Sequence, residues 1–424
     1  MLILFTCLVF FFFIFTYLEK KDYSSPVFLL SASFLMADFV FIWNIDNWDI
    51  QIYGKAIVYV ATAMLSWWIG ALIVRLFPKK KTKVDYIETV AKQIESCKFG
   101  IFTFISLICT IVYIRHIFRV SGSGIQLVNL FRAIYENATT TNSGNVIISQ
   151  MREIPIAIAY VNTFVLLFVR NSRMKIRKLS LYLTIVLFLI ICIFSTDRNL
   201  LLRYIIYSIC LWILFIKNRE DISKRRKNQT IIKRVLIVLF ISSLAFFALG
   251  KIKRYNSNFE RVIGIYAGSG LYNFNLTIND KHELGYGENT LGTMIGAINA
   301  IKGERSSEVL HGKFITYRSS NGYVYSSNVY SALKSYEMDF GYFGVILYPM
   351  ILGSFFEFLY TLTKRKICGF SWVFYSMWVY PILYFVITEQ FFGRMHLGRI
   401  YEIFWVAFFF FFVCVAKIRV KFRG

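Results

Sequence analysis

Arginine residues recur in this sequence near the ends of long apolar stretches. Arg198 follows a polar turn at 196–199, and Arg203 lies four residues after Asn199, on the same face of a helix that would begin there. A guanidinium group inside lipid needs an anionic partner or a water-filled cavity. The forked N–H donors of a guanidinium group fit phosphate oxygens. The positions of Arg198 and Arg203 therefore predict a site for a phosphate or diphosphate. The alternative for Arg203 is a side chain that extends to the lipid headgroups.

A second group of cations, Arg254 and Arg261, follows the apolar stretch that ends at residue 250. Together with Lys251 and Lys253, it concentrates positive charge where the chain would leave the membrane. Either these residues anchor the chain to lipid headgroups or their guanidinium groups bind an anionic substrate. We interpret Arg254 and Arg261 as candidate substrate ligands.

Near the C-terminus, Arg394, His396, Arg399 and Glu402 precede and enter the last apolar stretch. His396, Arg399 and Glu402 follow each other at intervals of three residues and would form a stripe on one side of a helix. The stripe combines cationic groups with a carboxylate, which predicts substrate binding by Arg394 and Arg399 and proton transfer by His396. The alternative is an internal ion pair between Arg399 and Glu402 that only orients the helix.

The segment that leads into the ninth apolar stretch combines aromatic, amide and acidic side chains. Asn328, Tyr330 and Tyr336 could form a polar and aromatic platform for sugar rings. Glu337 and Asp339 follow directly and are candidates to accept a proton from a substrate hydroxyl. Asp339 also precedes a predicted helix start, where a carboxylate can cap free N–H groups without any catalytic role.

Two histidines, His311 and His396, lie outside the apolar stretches and are alternative proton acceptors. The sequence contains no glycine-rich phosphate loop, no Cys-x-x-Cys pair and no His-Glu-x-x-His motif. We therefore predict neither a metal nor another cofactor. Arginines would then take the part that a divalent ion has in other enzymes.

The composition indicates which elements must position these residues. Of the 424 residues, 57% are hydrophobic and 17% are charged, and the mean hydropathy is +0.55. Soluble proteins average about 25% charged residues, and a soluble chain cannot bury this many apolar side chains. This excludes a soluble enzyme, a disordered protein and a disulfide scaffold. The net charge of +24 does not indicate nucleic acid binding, because the lysines and arginines lie in short runs between apolar stretches.

Eleven apolar stretches are long enough to cross a bilayer as helices, which predicts an all-α polytopic membrane protein. A tight turn at 196–199 separates two of them, because two adjacent charges are costly within lipid. The predicted spans are 2–18, 27–43, 55–77, 99–120, 153–169, 180–195, 200–216, 235–250, 344–363, 371–388 and 400–416.

The loops between these spans alternate between strongly basic and weakly basic sequences. The positive-inside rule then places the N-terminus outside and the C-terminus in the cytoplasm. The first helix lacks a basic region and a cleavage site, so we expect it to remain uncleaved. Residues 1–250 would form eight spans with an outer loop at 121–152, residues 251–343 a large outer cap, and residues 344–424 three spans and a basic tail.

These features resemble the Wzy-type O-antigen polymerases, also called oligosaccharide repeat-unit polymerases. The resemblance is based on about eleven spans, one large outer loop, the Ser-x-x-Arg turn at 195–198, and the pattern Asn-x-Tyr … Asp-Phe-Gly-x-x-Gly from Asn328 to Gly344. Some members have an Arg-x10-Gly pattern in their outer loops, and neither large outer loop of this chain contains it.

The resemblance implies an integral-membrane glycosyltransferase of the GT-C type in the bacterial inner membrane. Its donor would be a glycan on undecaprenyl diphosphate and its acceptor one new repeat unit on the same lipid. The acceptor hydroxyl attacks the anomeric carbon, and undecaprenyl diphosphate leaves. The product would be an O-antigen or capsule-type polysaccharide, and a chain-length regulator and a flippase would be partners. Arg198 and Arg399 are the foremost diphosphate ligands, and Asp339 is the foremost base.

Two other functions fit the same sequence features. An O-antigen ligase has similar spans and uses the same donor, but it transfers the polymer to a lipid A core. A flippase or transporter of lipid-linked sugars needs alternating access, which usually appears as internal repeats and short loops on both faces. The sequence has no such repeat and has a long predicted outer loop at 251–343, which favours the polymerase.

Overall fold

The computed structural model describes residues 2–49, 51–77, 84–121, 146–172, 174, 176, 178–195, 197–218, 223, 226–227, 229–231, 233–234, 263–280, 282–302, 315–395 and 397–415. Helices make up most of this part of the chain, and many of them are strongly apolar. This is the architecture of an all-α membrane protein. Small two-stranded sheets are its only β-structure among the described residues.

The helices are named here in chain order. They are α1 (Leu2–Leu18), α2 (Pro26–Trp43), α3 (Ile45–Trp48), α4 (Gly54–Leu76), α5 (Ile87–Ser96), α6 (Phe99–Ser121), α7 (Val146–Ser172), α8 (Leu179–Ser195), α9 (Arg198–Lys217), α10 (Ser269–Thr277), α11 (Glu288–Ile301), α12 (Ala332–Arg365), α13 (Phe370–Trp378), α14 (Tyr380–Tyr384) and α15 (Leu397–Cys414). The strands are β1 (Val84–Asp85), β2 (Ile315–Arg318), β3 (Val324–Ser327) and β4 (Lys366–Ile367).

Six helices of the described part are long and apolar enough to cross a membrane, namely α2, α4, α6, α7, α9 and α12. The helices α1 and α8 are shorter but also apolar. Large apolar side chains remain exposed on several of these helices, for example Phe39, Ile69 and Phe104. Exposed apolar surface of this kind is what a helix in contact with lipid tails presents.

Local sequence signals set several helix ends. Ser25 caps α2 by accepting a hydrogen bond from the N–H of Phe28 at 3.2 Å, and Pro26 occupies the first helical position. Asp197 caps α9 by accepting from the N–H groups of Asn199 and Leu200 at 3.0 and 3.2 Å. Because α8 ends at Ser195 and α9 begins at Arg198, the predicted break between two helices is confirmed, but Arg198 and Asn199 of the predicted turn belong to α9.

The helix α7 begins earlier than the predicted span at 153–169, which is a correction. It starts at Val146 and continues through Arg152 and Glu153. These two neighbours form an ion pair, with Nη2 of Arg152 2.9 Å from Oε1 of Glu153, so each charge is compensated within the helix. The expected outer loop at 121–152 is therefore shorter at its C-terminal end, and residues 122–145 lie outside the described part.

The predicted span at 371–388 is not one continuous helix, which is a second correction. The chain forms α13 and then the short α14, and residues 385–390 are turn and coil. Proline is the physical cause, since Pro381 has no N–H to donate to the carbonyl of Met377 four residues earlier. Residues 235–250, another predicted span, lie outside the described part.

The described chain divides into two compact units. The first comprises residues 1–82, 257–362 and 379–396. Within it, α4 and α12 approach closely at glycines: a Cβ added to Gly70 would lie 2.0 Å from the carbonyl oxygen of Met350, and one added to Gly353 would lie 2.1 Å from that of Trp67. Paired small residues of this kind allow two membrane helices to contact each other along their backbones.

A guanidinium group also stabilises this unit. Arg75 of α4 donates to both carboxylate oxygens of Glu357 in α12, each at 2.9 Å. It is also ion-paired with Glu19 near the end of α1, at 2.7 Å from Nη1 to Oε1. One arginine thus links three helices. The carboxylate of Glu357, which lies within a predicted span, is a structural partner of this arginine.

The predicted cap at 251–343 is folded where it is described. The strands β2 and β3 form an antiparallel hairpin with Arg318 opposite Val324. Beneath it, Trp48 stacks on Tyr272 at 5.1 Å between ring centroids, and Tyr325 contacts both rings edge-on. Burial raises the pKa of Tyr325 to about 12. The predicted apolar helix at 290–301 is confirmed as α11, whereas the hairpin was not predicted.

The second unit comprises residues 83–256, 363–378 and 397–424. Its central helix is α7, which packs against α6, α8, α9 and α15. Most residues in the apolar part of α7 are buried by these contacts. Aromatic side chains fill the contacts: Phe164 of α7 lies 5.3 Å from Phe410 of α15 and 5.7 Å from Phe215 of α9. A polar group within this apolar bundle therefore needs a partner from a neighbouring helix.

Candidate functional site

A network of buried and partly buried charges connects three helices of the second unit. Arg399 is only 1% exposed, and its guanidinium group is ion-paired with Glu402 one turn later in α15. Arg203 of α9 approaches the same carboxylate, with Nη1 3.5 Å from Oε2 of Glu402. Arg152 and Glu153 of α7 form the neighbouring pair, and the charge of Glu153 interacts with those of Arg203 and Glu402. Five charged groups thus lie close together inside an apolar bundle.

This charge network lies at one end of the bundle. Arg152, Arg203 and Arg399 each lie within the first two turns of their helices. Three guanidinium groups face two buried glutamates, and Asp197 at the start of α9 is near enough to Arg152 to interact electrostatically. Taking several charges out of water costs several kcal/mol per ion, so such networks within membranes are rare and usually functional.

Some buried polar atoms at the network have no hydrogen-bond partner within the described part of the chain. They include the hydroxyl of Tyr160 and Oε1 of Glu402, neither of which has a hydrogen-bond partner there. The Tyr160 ring packs edge-on against Tyr207 at 4.5 Å, and its hydroxyl lies within the electrostatic reach of Arg203 and Arg399. An unsatisfied buried polar group costs about 1–3 kcal/mol, which a bound polar ligand would recover.

Arg399 makes two further contacts in the same unit. Its Nη2 donates to the carbonyl of Met377 at 3.5 Å, the same carbonyl that Pro381 leaves without its helical donor. The guanidinium carbon also lies 5.1 Å from the ring centroid of Trp378. The predicted ion pair between Arg399 and Glu402 is therefore present, but it is part of a larger network rather than an isolated pair.

Asp339, the foremost predicted base, has a structural role in this fold. It is fully buried, and its carboxylate accepts from the N–H groups of Asn289 and Thr290 at 3.0 and 2.7 Å and from the Asn289 side-chain amide at 2.8 Å. These donors belong to the first turn of α11. The predicted cap was on the helix that follows Asp339. Asp339 instead caps α11, which precedes it in the chain.

The glycines of the Asp-Phe-Gly-x-x-Gly pattern have separate physical reasons. Gly341 has φ +59° and ψ −145°, a conformation that residues other than glycine rarely adopt. This conformation interrupts α12. Gly344 packs against the preceding turn, where an added Cβ would lie 2.2 Å from the carbonyl oxygen of Tyr336. The pattern thus forms a kinked joint in α12, and Asp339 ties this joint to α11.

A second cluster of titratable groups lies beside this joint, in the first unit. Glu337 is 6% exposed, and its Oε2 lies 3.2 Å from Nε2 of His282. Its Oε1 lies 3.8 Å from Nζ of Lys55, which also donates to the carbonyl of Ile278 at 2.6 Å. The cationic groups are more accessible than the carboxylate, since the side chains of His282 and Lys55 are 21% and 41% exposed. Glu337, a predicted catalytic residue, therefore lies just below the protein surface.

The predicted sugar platform is not assembled as expected. Tyr336 is fully buried and stacks on Tyr348 with 4.7 Å between centroids, so it is a core residue, which corrects its prediction as a surface ligand. Tyr330 is 8% exposed and is covered by Lys334, whose Nζ lies 3.3 Å from the ring centroid. Only Asn328 of the three is exposed.

The hydroxyl of Tyr336 points to a partly buried carboxylate, that of Glu389. It donates to Oε1 of Glu389 at 3.4 Å, and the backbone N–H groups of Phe391, Phe392 and Gly393 donate to the same carboxylate at 2.5–3.0 Å. Burial raises the pKa of Glu389, and these N–H donors oppose that effect. Glu389 thus fixes the turn before α15 and is held as a structural acceptor.

The other predicted ligands can be placed only in part. Arg198 is the first residue of α9, and Arg394 ends a short 3₁₀ turn. His311, His396, Arg254 and Arg261 lie outside the described residues.

Several residues of these clusters were not singled out from the sequence as site residues. Arg152 was missed because it was assigned to a loop, and Lys55 and His282 are lone polar residues far apart in the chain. A signal did exist for Arg152 and Glu153, since two opposite charges within an apolar segment indicate a compensated buried pair. No comparable local signal points to His282.

No group of three or more metal-ligating side chains occurs in the part of the chain that the structure describes. Comparisons of the chain with protein-family models, with curated proteins and with solved structures find no match. The site chemistry and the sequence pattern are therefore the basis for the function.

Proposed function

We propose that the protein polymerises oligosaccharide repeat units linked to undecaprenyl diphosphate, on the outer face of the bacterial inner membrane. The observation that supports this most is the charge network of Arg152, Arg203 and Arg399 with the buried carboxylates of Glu153 and Glu402. Its helices α7, α9 and α15 all begin on the side that the positive-inside rule assigns to the outside. A lipid-linked diphosphate would meet guanidinium groups there at the depth of the headgroups.

In this proposal, the arginines stabilise the leaving group. Cleavage of the bond between the anomeric carbon and the diphosphate leaves negative charge on the phosphate oxygens. Arg203 and Arg399 would exchange part of their contact with Glu402 for the diphosphate, whose oxygens accept two parallel N–H donors from each fork. The apolar surface of the helices would hold the polyprenyl chains. Membrane lipids surround the protein, and we propose a GT-C-like fold with the N-terminus periplasmic and the C-terminus cytoplasmic.

The acceptor needs a group that takes its hydroxyl proton. Asp339 is committed to α11 through its hydrogen bonds. Glu337 is better suited, because its carboxylate contacts side chains and not backbone N–H groups, and it lies near the surface beside His282 and Lys55. We therefore assign the proton acceptor to Glu337.

The test separates a functional guanidinium from a purely structural ion pair. Arg399→Ala alone would leave Glu402 buried without its main partner and would destabilise the bundle by about 3–5 kcal/mol. The double variant Arg399→Gln/Glu402→Gln removes both charges and keeps similar side-chain volumes. We expect it to reach normal membrane levels and to lose chain extension, measured as the length distribution of the lipid-linked glycan on a gel.

A matched control is available in the first unit. Arg75 forms a bidentate pair with Glu357 and an ion pair with Glu19, but these residues link helices at the ends that the charge rule assigns to the cytoplasm. We expect the variant Glu19→Gln/Arg75→Gln/Glu357→Gln, which removes all three charges, to retain chain extension once its expression is normalised. Polymer of wild-type length from the Arg399→Gln/Glu402→Gln variant would remove the arginine network from the mechanism.

A further inference from the structure

The contacts of His282 define where its protons lie. Nδ1 of the imidazole lies 3.0 Å from the carbonyl oxygen of Asp280, and Nε2 lies 3.2 Å from Oε2 of Glu337. A carbonyl oxygen only accepts, so Nδ1 must bear a hydrogen. With Nδ1 protonated, a neutral imidazole has only a lone pair at Nε2. A hydrogen bond to Glu337 then requires one additional proton, either on Nε2 or on the carboxyl group.

The two groups that share this proton, His282 and Glu337, come from segments that the backbone holds side by side. Glu337 lies in the first part of α12, just before the break at Gly341. The loop that contains His282 is attached to the same place, because the N–H groups of Gly285 and Tyr286 donate to the carbonyls of Met338 and Asp339 at 2.9 and 3.2 Å. These two hydrogen bonds hold the loop that contains His282 beside the part of α12 that contains Glu337.

The pair lies close to the protein surface, since the His282 side chain is 21% exposed. The charged and titratable groups that act on Glu337 are His282, Lys55 and Tyr59, the last two from α4. Lys55 is bound to the Ile278 carbonyl and lies near Oε1, so Oε2 is the oxygen that exchanges a proton with His282. A carboxylate beside an imidazole whose second nitrogen is fixed by a carbonyl is a recurrent arrangement for proton transfer.

We propose that Glu337 and His282 act as one acid–base pair, in which the imidazolium of His282 positions the carboxylate of Glu337 and keeps it ionised, and Glu337 accepts the proton from the substrate. This rests on the proposed function. As the acceptor hydroxyl oxygen bonds to the anomeric carbon of the donor, its proton passes to Glu337, and the electron pair of the anomeric C–O bond leaves with the diphosphate. Glu337 then holds the proton until water or the departing phosphate takes it.

The physical part of the proposal can be tested without any substrate. The chain has four histidines, so selective ¹⁵N-histidine labelling of the full-length protein in lipid gives few imidazole signals, and His282→Gln assigns the relevant one. We expect a hydrogen-bonded proton on Nε2 of His282 that exchanges slowly with water. In Glu337→Gln this signal should disappear while the Nδ1–H signal stays. An unchanged Nε2 signal in that variant would overturn the shared proton.

The catalytic part is tested by chain extension of a lipid-linked oligosaccharide as a function of pH. We expect Glu337→Gln to lower the rate about 100-fold or more, within the usual contribution of a general base. His282→Gln should lower it less and should move the acid limb of the pH–rate profile to higher pH, because an imidazolium stabilises the adjacent carboxylate. The matched control His116→Gln removes a histidine of the other unit and should leave rate and profile unchanged.

The outcomes distinguish this inference from the proposed function. If the wild type extends chains but Glu337→Gln is fully active, or if His282→Gln lowers the rate equally at every pH, the acid–base pair is wrong and the polymerase stands. If the wild type extends no chain under any condition while the shared proton is observed, the polymerase is wrong and the proton-sharing pair stands.

Discussion

At the scale of single residues, the same chemical type has opposite roles in different places. Asp339 and Glu337 are two residues apart in α12, yet Asp339 accepts from backbone N–H groups whereas Glu337 contacts titratable side chains. The sequence places both acids next to a helix start and cannot separate them. What separates them is α11 and the loop before it, which contribute donors from positions about 50 residues earlier in the chain.

The first prediction concerns the cap. Asp339→Asn keeps one acceptor oxygen but turns the other into an NH2 group that faces an N–H donor, so it should lose part of the stability, whereas Asp339→Ala removes both acceptors and leaves the first turn of α11 uncapped inside the protein. We expect the alanine variant to lose roughly 1–2 kcal/mol of stability, or more because the site is buried. Thermal unfolding of the purified protein in detergent measures the difference. Equal loss in both variants would show that the charge, and not the hydrogen bonds, is what matters at this position.

Residue-level prediction from sequence was accurate where neighbours in the chain are also neighbours in space. Arg399 and Glu402 were recognised as a pair because they are three residues apart on one helix. Arg203 was recognised as a membrane-buried arginine, but its partner Glu402 lies about 200 residues away and had no local signal. The burial of Tyr336 was not predicted either, because an aromatic side chain in a polar segment is equally compatible with a core and with a surface.

At the scale of secondary-structure elements, long apolar helices were predicted well and their interruptions poorly. Hydropathy sums over a window of about 20 residues, so it locates α2, α4, α6 and α9. Hydropathy does not detect a single residue that interrupts a helix, such as Gly341 in α12 or Pro381 after α13. The joint at Gly341 is the feature that brings Glu337, Asp339 and the loop before α11 together.

The second prediction concerns that joint. Alanine at position 341 would have to adopt φ +59° with ψ −145°, which costs on the order of 1–3 kcal/mol for a residue with a Cβ. If α12 straightens to relieve this strain, α11 loses its cap and His282 moves from Glu337. We expect Gly341→Ala to lower both stability and chain extension. Gly54→Ala is the matched control, because its added Cβ would meet no atom within 4 Å.

The third prediction concerns the contact of α4 with α12. An added side chain at Gly353 would occupy the position of the Trp67 backbone carbonyl, so the two helices would have to separate. We expect Gly353→Leu to prevent stable folding, and Gly353→Ala to be destabilised less than leucine but more than Gly292→Ala, whose added Cβ meets nothing. The yield of monodisperse protein after detergent extraction measures this order. A well-folded Gly353→Leu variant would contradict the close helix contact.

At the scale of the whole molecule, the chain is a helical membrane protein with two compact units, each of which has its own buried polar cluster. The first unit contains the carboxylate and histidine suited to take a proton. The second contains the guanidinium groups suited to bind a diphosphate. The proposed polymerase rests chiefly on the guanidinium groups of the second unit.

The most direct measurement is the surface glycolipid of cells from which the gene has been deleted, separated on a gel beside the wild type and a complemented strain. We expect the ladder of polymer to collapse to a single repeat unit that still reaches the surface, because export and attachment continue without chain extension. Full-length polymer that remains on undecaprenyl diphosphate would indicate a ligase. The absence of any repeat unit on the outer face would indicate a flippase, and either result would contradict the polymerase.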